Sequence, residues 1–203
     1  MFSDECSIAN KSSNPNVYLF RHPHEKYNKE LVNLKDNNKP TISLMFWAAI
    51  TMEHRTPIVM MERDYRSPRQ GYSAWSYQRA LQQGLVTHYD GTIHFQQDNS
   101  RLHTANSTVA WLMNHGVEYI DWPAFSPDLN PIENIWAILK RQLRRDFPHL
   151  HNLKDNIADR AEFRRCVELA WAAIPQSTIQ GIIKSMERRL RAVIRARGWY
   201  TKY

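Results

Sequence analysis

Cysteine and glycine are scarce in this chain of 203 residues, and long apolar runs are missing. The two cysteines, Cys6 and Cys166, are too few and too far apart in the sequence for a disulfide framework or a cysteine-based zinc site. This favours a reducing compartment such as the cytosol or the nucleus. The most apolar stretch, residues 43–50, is far shorter than the roughly 20 residues that a membrane span needs. The sequence therefore predicts a globular protein that is not inserted in a membrane.

Histidine is present without the companions that a zinc site needs. The sequence segments "RHPH" and "HLH" have no cysteine or further histidine at a metal-binding spacing. We therefore expect surface positions, and no zinc ligation, for His22, His24, His149 and His151.

Positive charge is concentrated towards the C-terminal end. The formal net charge is +7, yet residues 140–203 hold 15 lysines and arginines against 6 acidic residues, whereas residues 1–139 hold 12 against 14. Such a basic segment indicates a polyanionic partner, most often a nucleic acid, although a charged helical face is often only a solvated surface. Charge alone leaves both interpretations open.

The hydrophobic pattern predicts an α/β fold in which strands come first, then alternate with helices, and finally give way to helices. Strands are predicted at residues 2–9, 17–20, 41–51, 57–62, 92–99 and 117–123. Helices are predicted at residues 74–84, 104–116, 131–145, 160–174 and 177–197. Gly84 is expected to end the first helix in a left-handed conformation. We divide the chain into a core, residues 1–150, and a basic helical region, residues 151–203, that packs on it.

The last predicted helix has two faces of different character. Apolar residues from Ile179 to Ile194 recur at helical spacing and form one stripe. A second face and its flank carry the basic residues Lys184, Arg188, Arg189, Arg191, Arg195 and Arg197. This basic face is either the solvated side of a docked helix or a series of phosphate contacts along a DNA duplex.

Three acidic residues lie at positions that suit a metal site. Asp4 points with the apolar residues of the first strand, where a carboxylate needs a partner such as a metal, an arginine or a helix N-terminus. Asp98 ends a later strand. Glu133 follows the sharp turn "SPDLNPIEN", where its carboxylate either faces such a site or caps the helix by reaching back to the N–H of Asn130. Three carboxylates from three elements suit Mg²⁺, and two such ions about 4 Å apart support phosphoryl transfer.

The same residues lie in motifs that resemble the catalytic domain of mariner-superfamily DDE transposases, which has an RNase H-like fold. The matching motifs are "FSDE" (2–5), "QQDNSRLHTA" (96–105), "WPAFSPDLNPIENIWAILK" (122–140) and "SMERRLRAVIRARGWYTKY" (185–203). The 34 residues between Asp98 and Glu133 match the branch whose third acidic residue is glutamate. The resemblance implies an RNase H-like mixed sheet flanked by helices, with a C-terminal helical region.

Carried over position by position, the resemblance also implies an active site and a reaction. The catalytic residues, which would bind two Mg²⁺ (or Mn²⁺) ions, are Asp4, Asp98 and Glu133. The supporting residues are Asn99, His103 and Asn130. His103 would orient the loop after the second aspartate, with direct participation in catalysis as the alternative role. The implied reaction is cleavage at transposon ends followed by attack of the freed 3′-hydroxyl on DNA at TA dinucleotides. Paired DNA ends would be held by a homodimer in the nucleus.

The chain also departs from the family pattern. Met1 lies only three residues before Asp4, so we expect the first strand, which is central in this fold, to lack its N-terminal half. The helix-turn-helix modules that recognise transposon ends are not found in the sequence. Ala48, Leu102 and Glu187 replace residues that are usual in the family. Two alternatives therefore stay open: a catalytically inactive DNA-binding or assembly module derived from a transposase, and a remnant that does not fold stably.

Overall fold

The structure is a computed structural model that describes residues 1–11, 41–124 and 126–199. The strands within these ranges are β1 (Phe2–Ala9), β2 (Ser43–Ile50) and β3 (Val59–Met60). The helices are α1 (Ala74–Gly84), α2 (Asn106–Asn114), α3 (Ile132–Asp146), α4 (Ile157–Ala173), α5 (Gln176–Lys184) and α6 (Met186–Arg195). Short 3-10 helices, Pro127–Leu129 and Pro148–Asn152, precede and follow α3. The strand predicted at 17–20 lies outside the described residues. None of the helices in the described ranges is long and apolar enough to cross a membrane.

The sheet is mixed, as predicted. Within its three regular strands, β2 lies in the middle and pairs antiparallel with β3 on one side and with all eight residues of β1 on the other. Beyond β1, the sheet continues as two parallel bridges, from Phe2 to Gln96 and from Phe95 to Tyr119. The two later strands predicted around these residues are thus reduced to single bridges. The bridges matter for the site, because they bring the segment after Gln96 next to β1.

β2 is buried on both faces because its alternate residues pack against different helices. Leu44, Phe46 and Ala48 join a core that includes side chains of α3, α4 and α5, whereas Trp47 and Ala49 join a second core with side chains of α1 and α2. The result is three layers, with the sheet between two groups of helices. A continuous apolar run such as "SLMFWAAI" is typical of a strand covered on both faces.

α1 ends at Gly84 as predicted, but the predicted left-handed cap is wrong. Gly84 is not among the residues with positive φ, and Leu85 after it keeps helical angles of φ −87° and ψ −49°. A Cβ atom on Gly84 would lie 2.5 Å from a ring carbon of Trp47. The glycine is therefore required for the close approach of α1 to β2. By contrast, Gly116 follows α2 with φ 65° and ends that helix as predicted.

The single helix predicted over 177–197 is two helices, α5 and α6, that are separated at Ser185. The backbone N–H and the hydroxyl of Ser185 both donate to the carbonyl of Ile182, at 3.0 and 2.6 Å, in a tight turn. Past this turn the predicted apolar stripe is only partly buried, since Met186 is buried but Leu190 and Ile194 are exposed. α4 and α5 share a core with β1 and α3. The domain boundary near residue 150 stays a prediction.

Candidate active site

Asp4 lies in the middle of β1 and faces the α3 layer together with Cys6 and Ile8, as strand alternation predicts. Its Oδ2 atom accepts a hydrogen bond of 3.2 Å from the indole Nε1 of Trp136 in α3. This indole partner has no signal in the sequence, which points instead to a metal, an arginine or a helix N-terminus. A neutral N–H donor orients the carboxylate but does not neutralise its charge.

Asp98 follows Gln96, the residue that is bridged to Phe2 at the start of β1. Its Oδ1 atom accepts a 2.9 Å hydrogen bond from the N–H of Ser100, in the turn that aspartate side chains commonly stabilise. The same Oδ1 lies 2.6 Å from Nδ1 of His103. Both contacts use Oδ1, so Oδ2 is the oxygen that Asp98 offers to a further ligand.

Glu133 is positioned by the turn that precedes α3. The N–H of Asn130 donates to the carbonyl of Pro127 at 3.0 Å, so the capping interpretation, in which Glu133 accepts this N–H, is wrong. The side chain of Asn130 makes two contacts of its own. Its Oδ1 accepts from the N–H of Ile132 at 3.4 Å, and its Nδ2 donates to the carbonyl of Ser3 in β1 at 3.0 Å. Asn130 thus fixes the start of α3 against β1, and the Glu133 carboxylate is left for the pocket.

All three acidic residues, Asp4, Asp98 and Glu133, line one pocket of about 400 Å³, together with Asn99 and Asn130. The oxygens of these three carboxylates do not all lie within 4.8 Å of one another; within the described ranges, the three potential metal ligands that do are in another part of the fold. The carboxylates therefore surround the pocket at wider spacing. A site for two ions about 4 Å apart places its outer ligands at such separations. The structure therefore brings together Asp4, Asp98 and Glu133, the three residues that the sequence analysis predicts as metal ligands from separate elements.

Nearby positive groups offset only part of the negative charge of this pocket: His103 lies beside Asp98, whereas Asp4 has only a neutral N–H donor. Burial, followed by the negative charges of Glu5 and Glu133, raises the pKa of Asp4 to about 8. Burial also raises the pKa of Glu133, against the opposing attraction of Lys140. Carboxylates that resist ionisation because of burial and like charge are stabilised by a bound cation. The electrostatics of the pocket thus fit a divalent metal ion.

The histidine after the second aspartate is buried between two carboxylates. The side chain of His103 is 1% exposed, with Nδ1 at 2.6 Å from Asp98 and Nε2 at 3.1 Å from Glu5. Burial lowers the pKa of His103, but the hydrogen bonds to Asp98 and Glu5 outweigh it and raise the pKa to about 10. His103 is therefore protonated at neutral pH and carries a positive charge. Its position agrees with the predicted role of orienting the Asp98 loop.

Glu5 is a site residue that the sequence does not reveal. It lies on the face of β1 that carries Ser3 and Ser7, and such a polar face is typical of the solvent side of a strand. Its partner, His103, is 98 residues away in sequence. No local pattern in β1 indicates that an imidazolium lies against this face.

Five of the six residues predicted to contact DNA are exposed: Lys184, Arg188, Arg191, Arg195 and Arg197. The sixth, Arg189, is only 6% exposed, and its prediction as a DNA contact is wrong. Its guanidinium donates to the carbonyl of Asp128 at 2.8 Å, to Oδ1 of Asn134 at 2.5 Å and to the hydroxyl of Ser185 at 3.0 Å. Arg189 therefore docks α6 against the turn and first residues of α3, close to Glu133.

Comparison with known protein families finds a family model that matches most of the chain. The family described as "DDE superfamily endonuclease" matches residues 2–154, a range that contains all three pocket carboxylates. The chain belongs to this DDE endonuclease family. The assignment agrees with the sequence resemblance and with the position of the pocket.

Individual DDE transposases resemble the chain over different lengths. The Tc3 transposase of Caenorhabditis elegans is 34% identical over 163 residues, which cover 77% of this chain and 44% of that protein. The Mos1 transposase catalytic domain solved with Raltegravir and Mg has a TM-score of 0.54 at 19% identity, covering 79% of this chain and 78% of that one. The Mos1 mariner paired end complex with Mn has a TM-score of 0.59 at 18% identity, and the match covers 98% of this chain and 56% of the Mos1 chain.

The chain therefore spans about half the length of the Tc3 and paired-end Mos1 proteins that it matches. At below 20% identity, the structural likeness to Mos1 shows the fold, and the predicted RNase H-like fold is confirmed.

Proposed function

We propose that this DDE endonuclease chain is the catalytic core of a DNA transposase, which cleaves DNA strands and joins the freed ends to target DNA. The observation that carries the proposal is the single pocket in which Asp4, Asp98 and Glu133 meet. Membership of an endonuclease family and similarity to the Tc3 and Mos1 transposases support the same reaction class.

The donor set of the pocket fits two Mg²⁺ or Mn²⁺ ions, held by the three carboxylates. Carboxylate oxygens are hard ligands of the kind that Mg²⁺ and Mn²⁺ prefer. Burial first, and then the negative charges of Glu5 and Glu133, raise the pKa of Asp4, and bound cations would offset both effects. Divalent ions in such sites supply charge stabilisation to the attacking and leaving oxygens of phosphoryl transfer. The similar Mos1 structures were solved with Mg and with Mn, which supports this choice of metals.

The contribution of the chain itself is to hold the carboxylates in place before metal and DNA bind. Trp136 fixes Oδ2 of Asp4, and the charged imidazolium of His103 fixes Oδ1 of Asp98. Asn130 fixes the start of the helix that carries Glu133. Supporting contacts of this type orient metal ligands and reduce the rearrangement that metal binding requires.

An Asp98→Asn variant tests the active site. Asparagine keeps the size of the side chain but removes its charge, so cleavage and joining of labelled DNA in the presence of Mn²⁺ should fall to background while the thermal unfolding transition stays cooperative. The exposed Asp121 provides the matched control, since Asp121→Asn should keep full activity. Cleavage that survives in Asp98→Asn would show that the reaction occurs elsewhere.

We further propose that the exposed basic residues of α5 and α6 contact the DNA backbone. The substrates would be transposon ends and a TA target, two copies of the chain would hold paired ends, and the nucleus would be the site of action. The excess of basic residues over 140–203 supports DNA as the partner, and so does the similarity to Mos1, which was solved as a paired end complex.

Salt dependence of DNA binding tests this surface. If Arg188 contacts a phosphate, Arg188→Gln should make the negative slope of log affinity against log salt concentration shallower by about 1. Arg69, which is exposed in the loop before α1, provides the control, and Arg69→Gln should leave the slope unchanged. An unchanged slope in Arg188→Gln would indicate a solvated face.

Wild-type DNA binding without any Mn²⁺-dependent cleavage would favour the alternative function, an inactive DNA-binding module.

A further inference from the structure

A histidine, a glutamate and a cysteine lie side by side where the chain leaves α3 and enters α4. His149 lies in the 3-10 helix Pro148–Asn152, and Glu162 and Cys166 are four residues apart on one side of α4. Within the described ranges, these are the three residues whose metal-ligating atoms all lie within 4.8 Å of one another. His149 is exposed, as expected, but it has neighbours that its sequence spacing does not indicate, because Glu162 and Cys166 are on the next helix.

The spacing of the three ligand atoms matches a tetrahedral ion. Nε2 of His149 lies 3.1 Å from Oε1 of Glu162 and 4.0 Å from Sγ of Cys166, and Sγ lies 3.3 Å from the same Oε1. Around a tetrahedral zinc ion with bonds of about 2.0–2.3 Å, such atoms lie roughly 3.4–3.6 Å apart. Each observed separation differs from this range by less than about 0.5 Å, which small side-chain rotations remove.

The ligand types select a zinc-class ion rather than the magnesium class. Thiolate and imidazole bind Zn²⁺ and related transition metals, whereas Mg²⁺ prefers oxygen ligands alone. Cys166 is buried beneath the cluster, while the side chains of His149 and Glu162 are 51% and 32% exposed. An ion therefore reaches the cluster from solvent, and water can complete its coordination.

Arg165 competes with a metal ion for the carboxylate of Glu162. Its Nε and Nη2 atoms donate to Oε2 and Oε1 of Glu162, each at 2.8 Å. The Arg165 side chain is 57% exposed, and solvent-exposed ion pairs are weak, so the guanidinium is readily displaced into solvent. Removal of this cation should therefore strengthen metal binding.

We propose that His149, Glu162 and Cys166 bind one zinc-class divalent ion. None of these residues lines the carboxylate pocket, so the site is separate from the proposed catalytic site and does not depend on the proposed function. A bound ion ties the 3-10 helix after α3 to α4. Because the ligands converge in the folded chain, metal binding stabilises the packing of α4 against the core.

Co²⁺ titration of the purified chain tests the site, since Co²⁺ substitutes for Zn²⁺ and reports thiolate ligation by a near-ultraviolet charge-transfer band. The wild type should develop this band with one ion per chain, and Zn²⁺ should displace Co²⁺ and raise the midpoint of thermal unfolding. The carboxylate pocket contains no sulfur and cannot give the band. Cys166→Ser should abolish it, whereas Cys6→Ser, at the other cysteine, should retain it.

Variants of the partly exposed ligands keep the test independent of folding defects at the buried cysteine. His149→Ala and Glu162→Gln should each weaken Co²⁺ binding by at least about tenfold, the lower limit seen even for supporting residues in metal sites. His151→Ala, two positions away in the same 3-10 helix, should bind as the wild type does. Arg165→Gln should bind Co²⁺ more tightly.

Three results would overturn the assignment. The first is the lack of a charge-transfer band in the wild type. The second is a band that survives in Cys166→Ser or in the double variant His149→Ala with Glu162→Gln. The third is weaker Co²⁺ binding in Arg165→Gln, which would place the ion away from the Glu162 carboxylate.

Discussion

Replacement of Asp4 by asparagine should stabilise the metal-free protein at neutral and alkaline pH. Burial, followed by the charges of Glu5 and Glu133, raises the pKa of Asp4 from 3.8 to about 8. Because the folded carboxyl holds its proton more tightly than the unfolded one, ionisation costs stability, and this cost grows as the pH rises from about 4 to about 8. Below pH 4 the acid is protonated in both states, and the cost vanishes.

The size of this effect follows from the pKa difference. A pKa difference of 1 corresponds to about 1.4 kcal/mol, so the full cost approaches about 5 kcal/mol at pH 8. Relaxation and partial solvation of the pocket reduce it, and we expect a change of roughly 1–3 kcal/mol between pH 5.5 and pH 8. Asparagine removes the titrating charge, and its side-chain oxygen still accepts the hydrogen bond from Trp136.

Urea denaturation in the presence of EDTA at several pH values measures this cost. The free energy of unfolding of Asp4→Asn should exceed that of the wild type by a margin that widens with pH, and the comparison cancels the titration of groups elsewhere. Asp121→Asn, at an exposed aspartate, should show no widening. Mn²⁺ should close the gap by stabilising the wild type alone. A constant gap from pH 5.5 to 8 would refute the raised pKa, and equal stabilisation of both proteins by Mn²⁺ would refute the role of Asp4 as a ligand.

Substitutions at two other positions test the packing that the structure shows. Gly84→Ala should destabilise the protein by about 1–3 kcal/mol in urea denaturation, because the new methyl group meets the ring of Trp47. Gly181→Ala in α5, where a Cβ has no atom within 4 Å, should instead stabilise by up to about 1 kcal/mol. Arg189→Gln should cost about 2–4 kcal/mol, because this buried side chain loses its charge-assisted hydrogen bonds to the carbonyl of Asp128 and the side chain of Asn134. The exposed neighbour supplies the control: Arg188→Gln should change stability by less than about 0.5 kcal/mol.

The elements that carry the pocket were predictable because their signals are local. Alternation over residues 2–9 predicts β1 and places Asp4 on its inner face. Two prolines and an asparagine within six residues predict a turn that starts a helix, and α3 begins there. The positions of Asp4 and Glu133 on these elements follow from sequence alone, whereas their convergence with Asp98 depends on pairing between strands that are far apart in the chain.

The contacts that support the pocket could not be predicted, because each one joins residues that are distant in sequence. Trp136 reads as an ordinary apolar residue of α3, and the β1 carboxylate that accepts from its N–H is 132 residues away. The sequence pattern predicts a solvent-facing side chain for Glu5, and only the folded structure shows that His103 lies against it. The same limitation applies to Gly84, whose requirement for glycine comes from the tryptophan side chain on the neighbouring strand.

The C-terminal helices show how one local turn reverses an assignment based on periodicity. A single helix with the observed spacing would bury Leu190 and expose Arg189, and the structure has the opposite arrangement. The i→i+3 hydrogen bond at Ser185 interrupts the α-helical pattern, so α5 and α6 do not share one continuous helical periodicity. Arg189 then reaches the carbonyl of Asp128, and the neighbouring Arg188 stays in solvent. The proposed DNA contact, Arg188, and the structural support, Arg189, are therefore adjacent arginines. Only the comparison of their variants separates loss of DNA affinity from loss of the fold around Glu133.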